Sequence, residues 1–483
     1  MSKKSLFAFI LLFVTFLLAS GPGYAAEVTY TYDSLSRLTT AKYVGAGKTV
    51  NVTYEYDAMG NRTRYAVAQD PPPTKGTVYI NVTPDTINAP WTLNGPGGYS
   101  LTGTGDRTVN DLSAGDYTIE WGAVYGWKKP TPPTETKTLA AGGSVTFSGE
   151  YVQFGTPAAW GNGQIAALFA DYGSGNGLWR HDGNSWLRLS DWEPSLLIGY
   201  GANGLAAAFD NYGSGNGVWI YNGSGWNRIS EWIPKDMLAY GSSSLVGKFS
   251  DYGSDNGIWK YNGSAWARLT DWLPDTMVSL GESTLIGVFS QYGSGNGIWK
   301  HDGASWVRIT DWVPERLNAW GSNLAATFTD YGTGNGLWIY EGTAWRQATD
   351  WTPDKTLSWK GDALLAGIFS NYGSDNGVWN YDGTSWNRLT DWTPVDMAKL
   401  GTGAFMAVFG DYGTAGNGVW KYSYTDQSWQ RVSDWVPETI SSSGDYVVCV
   451  FSNYGTAGNG VWKYDKDGNW TRLTDWITRQ PKP

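Results

Sequence analysis

Eight tandem copies of one unit fill the chain from about residue 156 to residue 477. The third copy reads SLVGKFSDYGSDNGIWKYNGSAWARLTDWLPDTMVSLG, and three tryptophans recur at equivalent places in every copy. A Tyr-Gly pair marks each copy, and successive pairs lie 40, 40, 40, 39, 41, 40 and 42 residues apart. The pairs begin at Tyr172, Tyr212, Tyr252, Tyr292, Tyr331, Tyr372, Tyr412 and Tyr454. Such a constant period is typical of a repeat architecture in which each copy supplies one module.

Each copy contains four short segments with strand-like sequence, separated by Gly, Asn, Asp and Pro turns. In the third copy these are LVGKF, GIWKY, AWARLT and MVSLG. Four strands of about six residues and four connections of about four residues fill a period of about forty. Four strands form one propeller blade, and no stretch shows the 3.6-residue apolar period of a helical solenoid. The sequence therefore predicts an all-β protein with an eight-bladed β-propeller.

The last copy ends at Trp476 without the proline that follows the equivalent tryptophan in the other seven copies. We therefore expect both ends of the propeller to share one blade. Residues near Thr156 to Trp160 would supply the outer strand of the last copy.

The stretch G-[LIV]-W-x-[YH]-[DN]-G-x-x-W, seen in GIWKYNGSAW of the third copy, resembles the blades of tectonin and tachylectin-type lectin propellers. The likeness covers residues 156 to 477. It implies binding to sugars or to a cell surface.

A candidate site follows from strand direction. Chain direction reverses at each strand, so the DYGSGN-like connection and the DWxP connection emerge on the same propeller face. We expect Asp171, Asn176, Asp191 and Trp192 to lie near one another there. An indole can stack on the C–H face of a sugar while carboxylates and amides bond its hydroxyls. The candidate ligand-binding residues are Trp192, Trp232, Trp272, Trp312, Trp351, Trp392, Trp435, Trp476, Asp191, Asp271, Asp311, Asn176, Asn256 and Asn296.

A purely structural interpretation of the same residues stays open. The tryptophans would wedge between adjacent blades, the Asn-Gly pairs would supply turn geometry, and Asp191 would pair with Arg188. The other two tryptophans of each copy, such as Trp179 and Trp186, are predicted to be core.

Small residues stand two positions before the phenylalanine of each copy, which suggests crowding around the central axis. His181 and His301 occupy a position that holds tyrosine in other copies, so we interpret them as tyrosine substitutes. The small residues are Ala167, Ala207, Gly247, Gly287, Ala326, Gly367, Ala407 and Cys449. Cys449, the single cysteine of the chain, is on this view a small core residue.

The polar positions recur in all eight copies, whereas an active site brings unlike groups together. We therefore expect a non-enzymatic, monomeric binding protein without a cofactor or metal. A calcium loop is disfavoured because DYGSGNG lacks the third acidic position and the distal glutamate of an EF-hand. The first hypothesis is multivalent carbohydrate recognition at a cell or envelope surface. A structural or adhesive scaffold that binds a surface protein is the alternative, and a glycosidase ranks third.

The first 25 residues read as a secretory signal peptide, with Lys3 and Lys4, an apolar run and a small-residue cleavage site. We expect a secreted, periplasmic or cell-surface protein with no membrane span. Removal of the two lysines would change the net charge from −10 to −12. An acidic chain of this kind is an unsuitable partner for nucleic acid.

Two further segments separate the leader from the propeller. YTYDSLSRLTTA and YEYDAMGNRTRY, within residues 28–66, resemble YD repeats of the Rhs and teneurin type. Two copies are too few for a closed shell, so we expect a short β-cap. A Pro-rich linker, residues 67–76, leads to residues 77–151, whose alternating pattern predicts a small β-sandwich. That segment resembles a PEGA-type surface domain and would act as a spacer.

Overall fold

A computed structural model describes residues 27–45, 48–69, 75–160, 163–201, 204–281 and 283–480. The predicted signal peptide, residues 1–25, and residues 70–74 of the predicted linker lie outside the described residues. The chain divides into two compact units that separate between Val152 and Gln153. Within the described ranges, no helix is long and apolar enough to cross a membrane.

A four-stranded antiparallel meander begins the first unit. Its strands are β1 (Glu27–Tyr32), β2 (Leu38–Gly45), β3 (Lys48–Tyr56) and β4 (Arg62–Gln69). The two YD motifs form the turns of the β1–β2 and β3–β4 hairpins. There the Asp33 and Asp57 carboxylates accept backbone N–H bonds of 2.7 Å to 3.0 Å, which fix the turns.

Two more sheets in this unit share one apolar core, so the predicted β-sandwich is present. Val78, Ile80 and Val82 are buried at alternate positions of one strand and share that core with Trp91 and Trp121. The four-stranded sheet runs, in spatial order, Thr134–Leu139, Gly115–Trp121, Pro90–Gly95 and Tyr99–Thr104. The three-stranded sheet runs Ser144–Glu150, Lys75–Thr83 and Arg107–Ser113. Shorter elements are the 3-10 turn Pro96–Gly98 and the strands Trp127–Lys128 and Val152–Gln153.

The second unit contains eight antiparallel four-stranded sheets, which are the eight predicted blades. The first strands are Ala158–Trp160, Leu196–Tyr200, Asp236–Tyr240, Thr276–Leu280, Arg316–Trp320, Lys355–Trp359, Asp396–Leu400 and Thr439–Ser443. The second strands are Gln164–Phe169, Gly204–Phe209, Ser244–Phe249, Thr284–Phe289, Asn323–Phe328, Leu364–Phe369, Ala404–Phe409 and Tyr446–Phe451. The third strands are Gly177–His181, Gly217–Tyr221, Gly257–Tyr261, Gly297–His301, Gly336–Tyr340, Gly377–Tyr381, Gly418–Ser423 and Gly460–Asp465. The fourth strands are Trp186–Ser190, Trp226–Ser230, Trp266–Thr270, Trp306–Thr310, Trp345–Thr349, Trp386–Thr390, Ser428–Ser433 and Trp470–Thr474.

The first strands surround the central axis. Each contacts the first strand of the next blade, and that of the eighth blade contacts that of the first, so the ring is closed. Between blades lie apolar clusters; Ala206, Val218 and Ile220 of the second blade pack with Met237 and Leu245 of the third. Burial of this apolar surface, at roughly 25 cal/mol per Å², holds neighbouring blades together.

Both ends of the propeller meet in the first blade, as expected. The Arg479 amide donates to the Leu168 carbonyl at 2.9 Å, and Ala158–Trp160 pairs farther along the same second strand. Lys235 makes the equivalent bond to Lys248 in the third blade, at 2.7 Å. The C-terminal residues therefore complete the inner edge of the first blade.

Two expectations about strand order are wrong. The segment near Thr156 to Trp160 supplies an inner strand, because Trp470–Thr474 already forms the outer edge of the eighth blade. The segment MVSLG is likewise the first strand of the next blade, not the fourth strand of its own. Thr276–Leu280 pairs with Thr284–Phe289 through a tight turn, whereas a longer connection with a proline separates it from Trp266–Thr270.

Glycine begins the third strand of every blade for a steric reason. Gly257 has a φ of +140°, and a Cβ there would overlap the Thr270 carbonyl oxygen of the fourth strand. The pairing of these strands shifts register immediately afterwards, between Ile258 and Trp259. The preceding connection contains one helical turn, which is 3-10 in six blades and α-helical in the last two. These turns are Gly173–Gly175, Gly213–Gly215, Gly253–Asp255, Gly293–Gly295, Gly332–Gly334, Gly373–Asp375, Gly413–Gly416 and Gly455–Gly458.

Where the small residue two positions before the phenylalanine is glycine, the phenylalanine ring explains it and the axis does not. A Cβ on Gly247 would lie 2.8 Å from the Phe249 ring, and the same contact for Gly287 is 2.9 Å. The expected crowding at the axis is therefore wrong, because these residues lie on the second strand, one strand outside it. Cys449 takes this position in the eighth blade, where burial raises the pKa of its thiol.

The two histidines lie at the tyrosine position, as predicted. Tyr221 donates its hydroxyl to the Gly223 carbonyl at 2.9 Å, whereas Nδ1 of His181 accepts the Gly183 N–H at 3.1 Å. His301 makes the same bond in the fourth blade. Burial lowers the pKa of both imidazoles, so the neutral ring is the form that fits.

Candidate functional site

Two loops meet at every boundary between blades. The tyrosine loop joins the second and third strands, as at residues 251–256 of the third blade. The tryptophan loop leads from the fourth strand to the next blade, as at residues 231–234. Trp232 of the second blade packs on Tyr252 of the third, so both loops lie on one face, as predicted. The interblade stacking joins successive copies, since Trp192 packs on Tyr212 of the next blade. The predicted closeness of Asn176 and Asp191 within one copy is present, because a Cβ on Gly177, next to Asn176, would lie 2.9 Å from the Asp191 Cα.

The tryptophans of these loops are half-buried, and we call them the interblade tryptophans. They are Trp192, Trp232, Trp272, Trp312, Trp351, Trp392, Trp435 and Trp476. Each stacks on the tyrosine of the next blade, with ring centroids 4.3 Å to 4.7 Å apart and ring planes within 7° to 18° of parallel. Trp476 stacks on Tyr172 of the first blade, so this contact also closes the ring.

Each interblade tryptophan also meets two rings of the next blade edge-on. Trp232 lies 5.9 Å from Phe249 and 5.6 Å from Trp259, measured between ring centroids. The tryptophans are thus wedged between adjacent blades, which is the structural role that the sequence had left open. Each ring stays partly exposed, so its edge is accessible to a ligand.

The three tryptophans of each repeat use their indole N–H groups differently. Nε1 of Trp259, in the third strand, donates to the Asp255 carbonyl at 2.9 Å. Nε1 of Trp266, at the start of the fourth strand, donates to Ile229 of the preceding blade at 2.9 Å. Equivalent bonds recur in all eight blades.

The interblade tryptophans, in contrast, have free indole N–H groups. Among the described residues none accepts a hydrogen bond from their Nε1 atoms. In the described part of the chain, Trp320 has the only buried indole nitrogen without a hydrogen-bond partner. The unpaired Nε1 atoms of the interblade tryptophans are therefore not buried and are exposed to solvent. An unpaired donor at the edge of an aromatic wall is a group that a polar ligand can use.

Acidic residues precede these tryptophans. Asp191, Asp271 and Asp311 are exposed, and no hydrogen bond or ion pair joins their carboxylates to another described residue. The pairing of Asp191 with Arg188 that the sequence suggested is therefore wrong. Arg188 instead donates to the backbone carbonyl of Asn176.

The predicted asparagines have an internal role. The side-chain oxygen of Asn256 accepts the Tyr252 amide at 2.7 Å, and Asn176 and Asn296 accept the equivalent bond at 2.6 Å. This bond closes the tyrosine loop and sets the tyrosine ring on which the interblade tryptophan stacks. These three asparagines therefore stabilise the tyrosine loop that carries one wall of the cleft.

The sequence interpretation missed a basic residue near each cleft. Arg228 places its guanidinium 6.0 Å from the ring centre of Trp219 and donates to the Asn216 backbone carbonyl. Arginine occupies this position in seven blades, and Gln347 replaces it in the fifth. The recurring W-x-R or W-x-Q pattern could have revealed it.

A cavity of about 260 Å³ opens between the second and third blades. Its lining is Ser230, Glu231, Trp232, Phe249, Trp259 and Trp266. Three indoles and a phenyl ring form the walls, and a carboxylate and a hydroxyl stand among them. Small-molecule sites measure roughly 300 to 1,000 Å³, so this cavity suits a single small ring. Among the described residues, no group of three or more His, Cys, Asp or Glu is arranged to hold a metal ion.

No protein-family model matches the chain, and no curated protein matches it. Similar solved structures include the CRINKLY WD40 ectodomain of the Arabidopsis thaliana receptor kinase ACR4, with 11% identity and a TM-score of 0.35, covering 56% of this chain and 98% of that chain. The β-propeller domain of the Pyrococcus furiosus Trilobed protease has 12% identity and a TM-score of 0.35, covering 76% and 97%. The C-terminal WD40 domain of Sif2 has 11% identity and a TM-score of 0.37, covering 62% and 96%. These similarities are too low to support an argument. The assignment of the β-propeller fold is therefore based on the eight sheets of this chain itself.

Proposed function

We propose that this protein is a secreted, non-enzymatic, multivalent binder that holds carbohydrate in the clefts beside its interblade tryptophans. The observation that carries the proposal is the set of eight indole N–H groups that are open to solvent and unpaired. Each N–H group lies at the edge of an aromatic wall, at the equivalent position of every boundary between blades. Eight weak sites on one face would together give avidity on a glycan-coated surface.

The chemistry of one cleft illustrates the proposed mode of binding. Nε1 of Trp232 donates to a sugar hydroxyl, and the Glu231 carboxylate accepts from another. The indole of Trp259 contacts the C–H face of the sugar. Each blade supplies only part of this cleft, so a site exists only where two blades meet.

The resemblance to tectonin and tachylectin-type propellers supports the same ligand class. The predicted leader, residues 1–25, would direct the protein to the periplasm or the cell exterior. On this proposal the PEGA-like segment, residues 77–151, is a spacer, and the two YD repeats at 28–66 form a short β-cap.

The proposal is tested by phenylalanine substitution, which keeps the stacked ring and removes the N–H donor. The test variant changes Trp232, Trp272, Trp312 and Trp351 to Phe in the mature full-length chain. We expect it to unfold within a few degrees of the parent. Glycan-array binding should fall at least tenfold, because four donors worth about 1 kcal/mol each are lost and avidity amplifies the change.

A matched control changes Tyr221, Tyr261, Tyr340 and Tyr381 to Phe. Each of these residues also loses one donor, which bonds a backbone carbonyl of its own blade, and none lines the cavity, so their loss should lower stability and leave sugar binding intact. The proposal fails if the test variant binds glycans as well as the parent, or if the parent shows no sugar-class selectivity.

A protein-binding scaffold is the second candidate. It is favoured by one observation: a tyrosine stacks on each interblade tryptophan, so the broad ring face is partly used within the protein. The exposed part of the loop face is then dominated by carboxylates, such as Asp191 and Asp271, and by loop backbone. Capture of one surface protein by a parent that ignores every glycan would support this candidate.

A further inference from the structure

The first sheet consists of two equivalent hairpins, offset by 24 residues. Tyr30 pairs with Ala41 in the β1–β2 hairpin, and Tyr54 pairs with Tyr65 in the β3–β4 hairpin at the same register. Both hairpins shift register one residue before the tyrosine of the YD motif. Each strand of the second hairpin therefore has a defined counterpart in the first.

The two hairpins join through β2 and β3, which we call the internal seam. Ala41 lies opposite Val52 there, and both are buried. The Tyr56 hydroxyl donates to the Leu38 carbonyl at 2.8 Å, and the Arg37 guanidinium lies 4.9 Å from the centre of the Tyr56 ring. The seam thus combines backbone pairing, an apolar pair and a cation–π contact.

The counterparts of these residues are uncovered at the two outer edges. Tyr65, the counterpart of buried Ala41, is 59% exposed on β4. Tyr32, the counterpart of half-buried Tyr56, is 60% exposed on β1. Among the described strands, β1 and β4 each pair on one side only. The sheet therefore carries both halves of the internal seam without a partner, and unpaired strand edges are templates for another strand.

The two edges are also complementary in charge. If the internal seam is repeated between two copies, Tyr65 of one lies opposite Val28 of the other, and Arg64 lies opposite Thr29. Arg64 is then a diagonal neighbour of Glu27 on the same face of the sheet. Arg64 is exposed and already forms an ion pair with Glu55 of its own copy at 3.7 Å. Long side chains reach one another at the diagonal separation, so Glu27 of the second copy would bring a second anion to Arg64.

We propose that β4 of one copy pairs antiparallel with β1 of a second copy, so that this chain associates head to tail through its first sheet. The contact is heterologous and leaves β1 free at one end of the row and β4 free at the other, which permits dimers and longer rows. This differs from the monomer expected from the sequence. It goes beyond the proposed binding function and does not depend on it, since no residue of the clefts takes part.

Cysteine pairing tests the proposal directly. The variant is Val28→Cys with Tyr65→Cys in the mature full-length chain, where the natural Cys449 is buried. Within one chain, β1 and β4 are three strand spacings apart, roughly 14 Å, which is too far for a disulfide. Oxidation should therefore give a ladder of covalent dimers and larger species on a non-reducing gel.

Two controls fix the register. Ala41→Cys with Val52→Cys tests the internal seam and should give a disulfide within one chain and no ladder. Thr29→Cys with Tyr65→Cys is one residue out of register, which puts the two thiols on opposite faces of the joined sheet. We expect at least a tenfold weaker ladder from this pair than from the matched pair. Equal ladders from matched and mismatched pairs would mean random collision and would overturn the proposal.

Sedimentation of the protein without added cysteines gives a second measurement. The parent should show a concentration-dependent shift from monomer to dimer and larger species. Arg64→Glu and Glu27→Arg should each weaken it roughly fivefold, and mixing the two variants should restore association. A parent that stays monomeric, together with no ladder from the matched cysteines, would overturn self-association. The two edges would then be available for pairing with a strand of another protein.

Discussion

The propeller and the first sheet are both built from repeated β units, and they differ in how the repetition ends. In the propeller, the aromatic wall of each blade is covered by the interblade tryptophan of the preceding blade, and the wall of the first blade is covered by Trp476 of the eighth. In the first sheet, the repetition stops after two hairpins, and among its described side chains only Ala41 and Val52 are buried. The difference teaches that repetition alone does not bury a surface. A closed ring or a further partner is needed.

The largest effect should come from opening the ring. A chain that ends at Thr474 loses the stack of Trp476 on Tyr172 and the 2.7 Å bond from the Ile477 amide to the Tyr172 hydroxyl. It also loses the bond from the Arg479 amide to the first blade. We expect the free energy of unfolding to fall on the order of 5 kcal/mol, since a half-buried aromatic and several hydrogen bonds disappear together. Chemical denaturation followed by tryptophan fluorescence measures it.

The control for this truncation is a chain that ends at Gln480. It keeps all of these contacts and should unfold with the parent. Equal stability of the chain that ends at Thr474 would show that the residues after Thr474 contribute nothing to the contact between the eighth and first blades.

Lowering the pH should decrease the folding stability of the propeller and leave the stability of the first sheet unchanged. Burial lowers the pKa of His181 and His301 below the unfolded value of about 6.5, so the unfolded chain binds more protons in acid. The stability that depends on neutral histidine is present above about pH 6.5 and declines as the pH falls below that value. The double variant His181→Tyr, His301→Tyr should flatten this decline between about pH 6.5 and 5, above the range where carboxylates of ordinary pKa titrate. Burial raises the pKa of Glu438, but that residue is the same in the parent and the variant.

Thermal unfolding across that pH interval gives the measurement, with hydrogen exchange reporting the two units separately. The two histidines are the only ones in the chain, and both lie in the propeller. A first sheet that loosens over the same interval, or a double variant that declines as the parent does, would contradict the assignment.

The smallest effect separates covered from uncovered positions within the first sheet. Tyr54 is half-buried, with its pKa raised by burial, whereas its counterpart Tyr30 is 49% exposed. Tyr54→Ala should destabilise this sheet by about 1 kcal/mol, and Tyr30→Ala by less than about 0.5 kcal/mol. Hydrogen exchange of residues 27–69 in dilute protein measures both. Equal losses would mean that the internal seam does not protect Tyr54.

Much of the fold follows from the sequence because it depends on spacing and parity. The even spacing of the Tyr-Gly pairs predicts eight blades, and the reversal of chain direction predicts that the two loops share a face. Residues such as Cys449 and His181 could be interpreted because seven other copies show what their position usually holds. Repetition supplies that information within one sequence.

The same repetition hides which neighbours touch. Trp232 lies 20 residues from Tyr212 and 20 residues from Tyr252, so the sequence cannot tell which ring it stacks on. Three-dimensional pairing decides for Tyr252, because the tryptophan loop carries the chain to the next blade. The different use of the three indole N–H groups was equally hidden, because all three residues are simply tryptophan in every copy.

The closing contact between Ile477 and Tyr172 has a consequence for the order of folding. The equivalent bond between the first two blades joins Glu193 to Tyr212, 19 residues away, whereas the closing bond spans 305 residues. Loop-closure entropy grows as the logarithm of the span, so the closing bond begins with a disadvantage of about 2.5 kcal/mol. It joins the first copy to the eighth, so it can form only after the residues of the other seven contacts have been synthesised. In the folded ring, we expect the blades to separate most easily at the boundary between the eighth and first blades. The side-chain contacts there resemble those at the other seven boundaries, and only the connection along the chain differs.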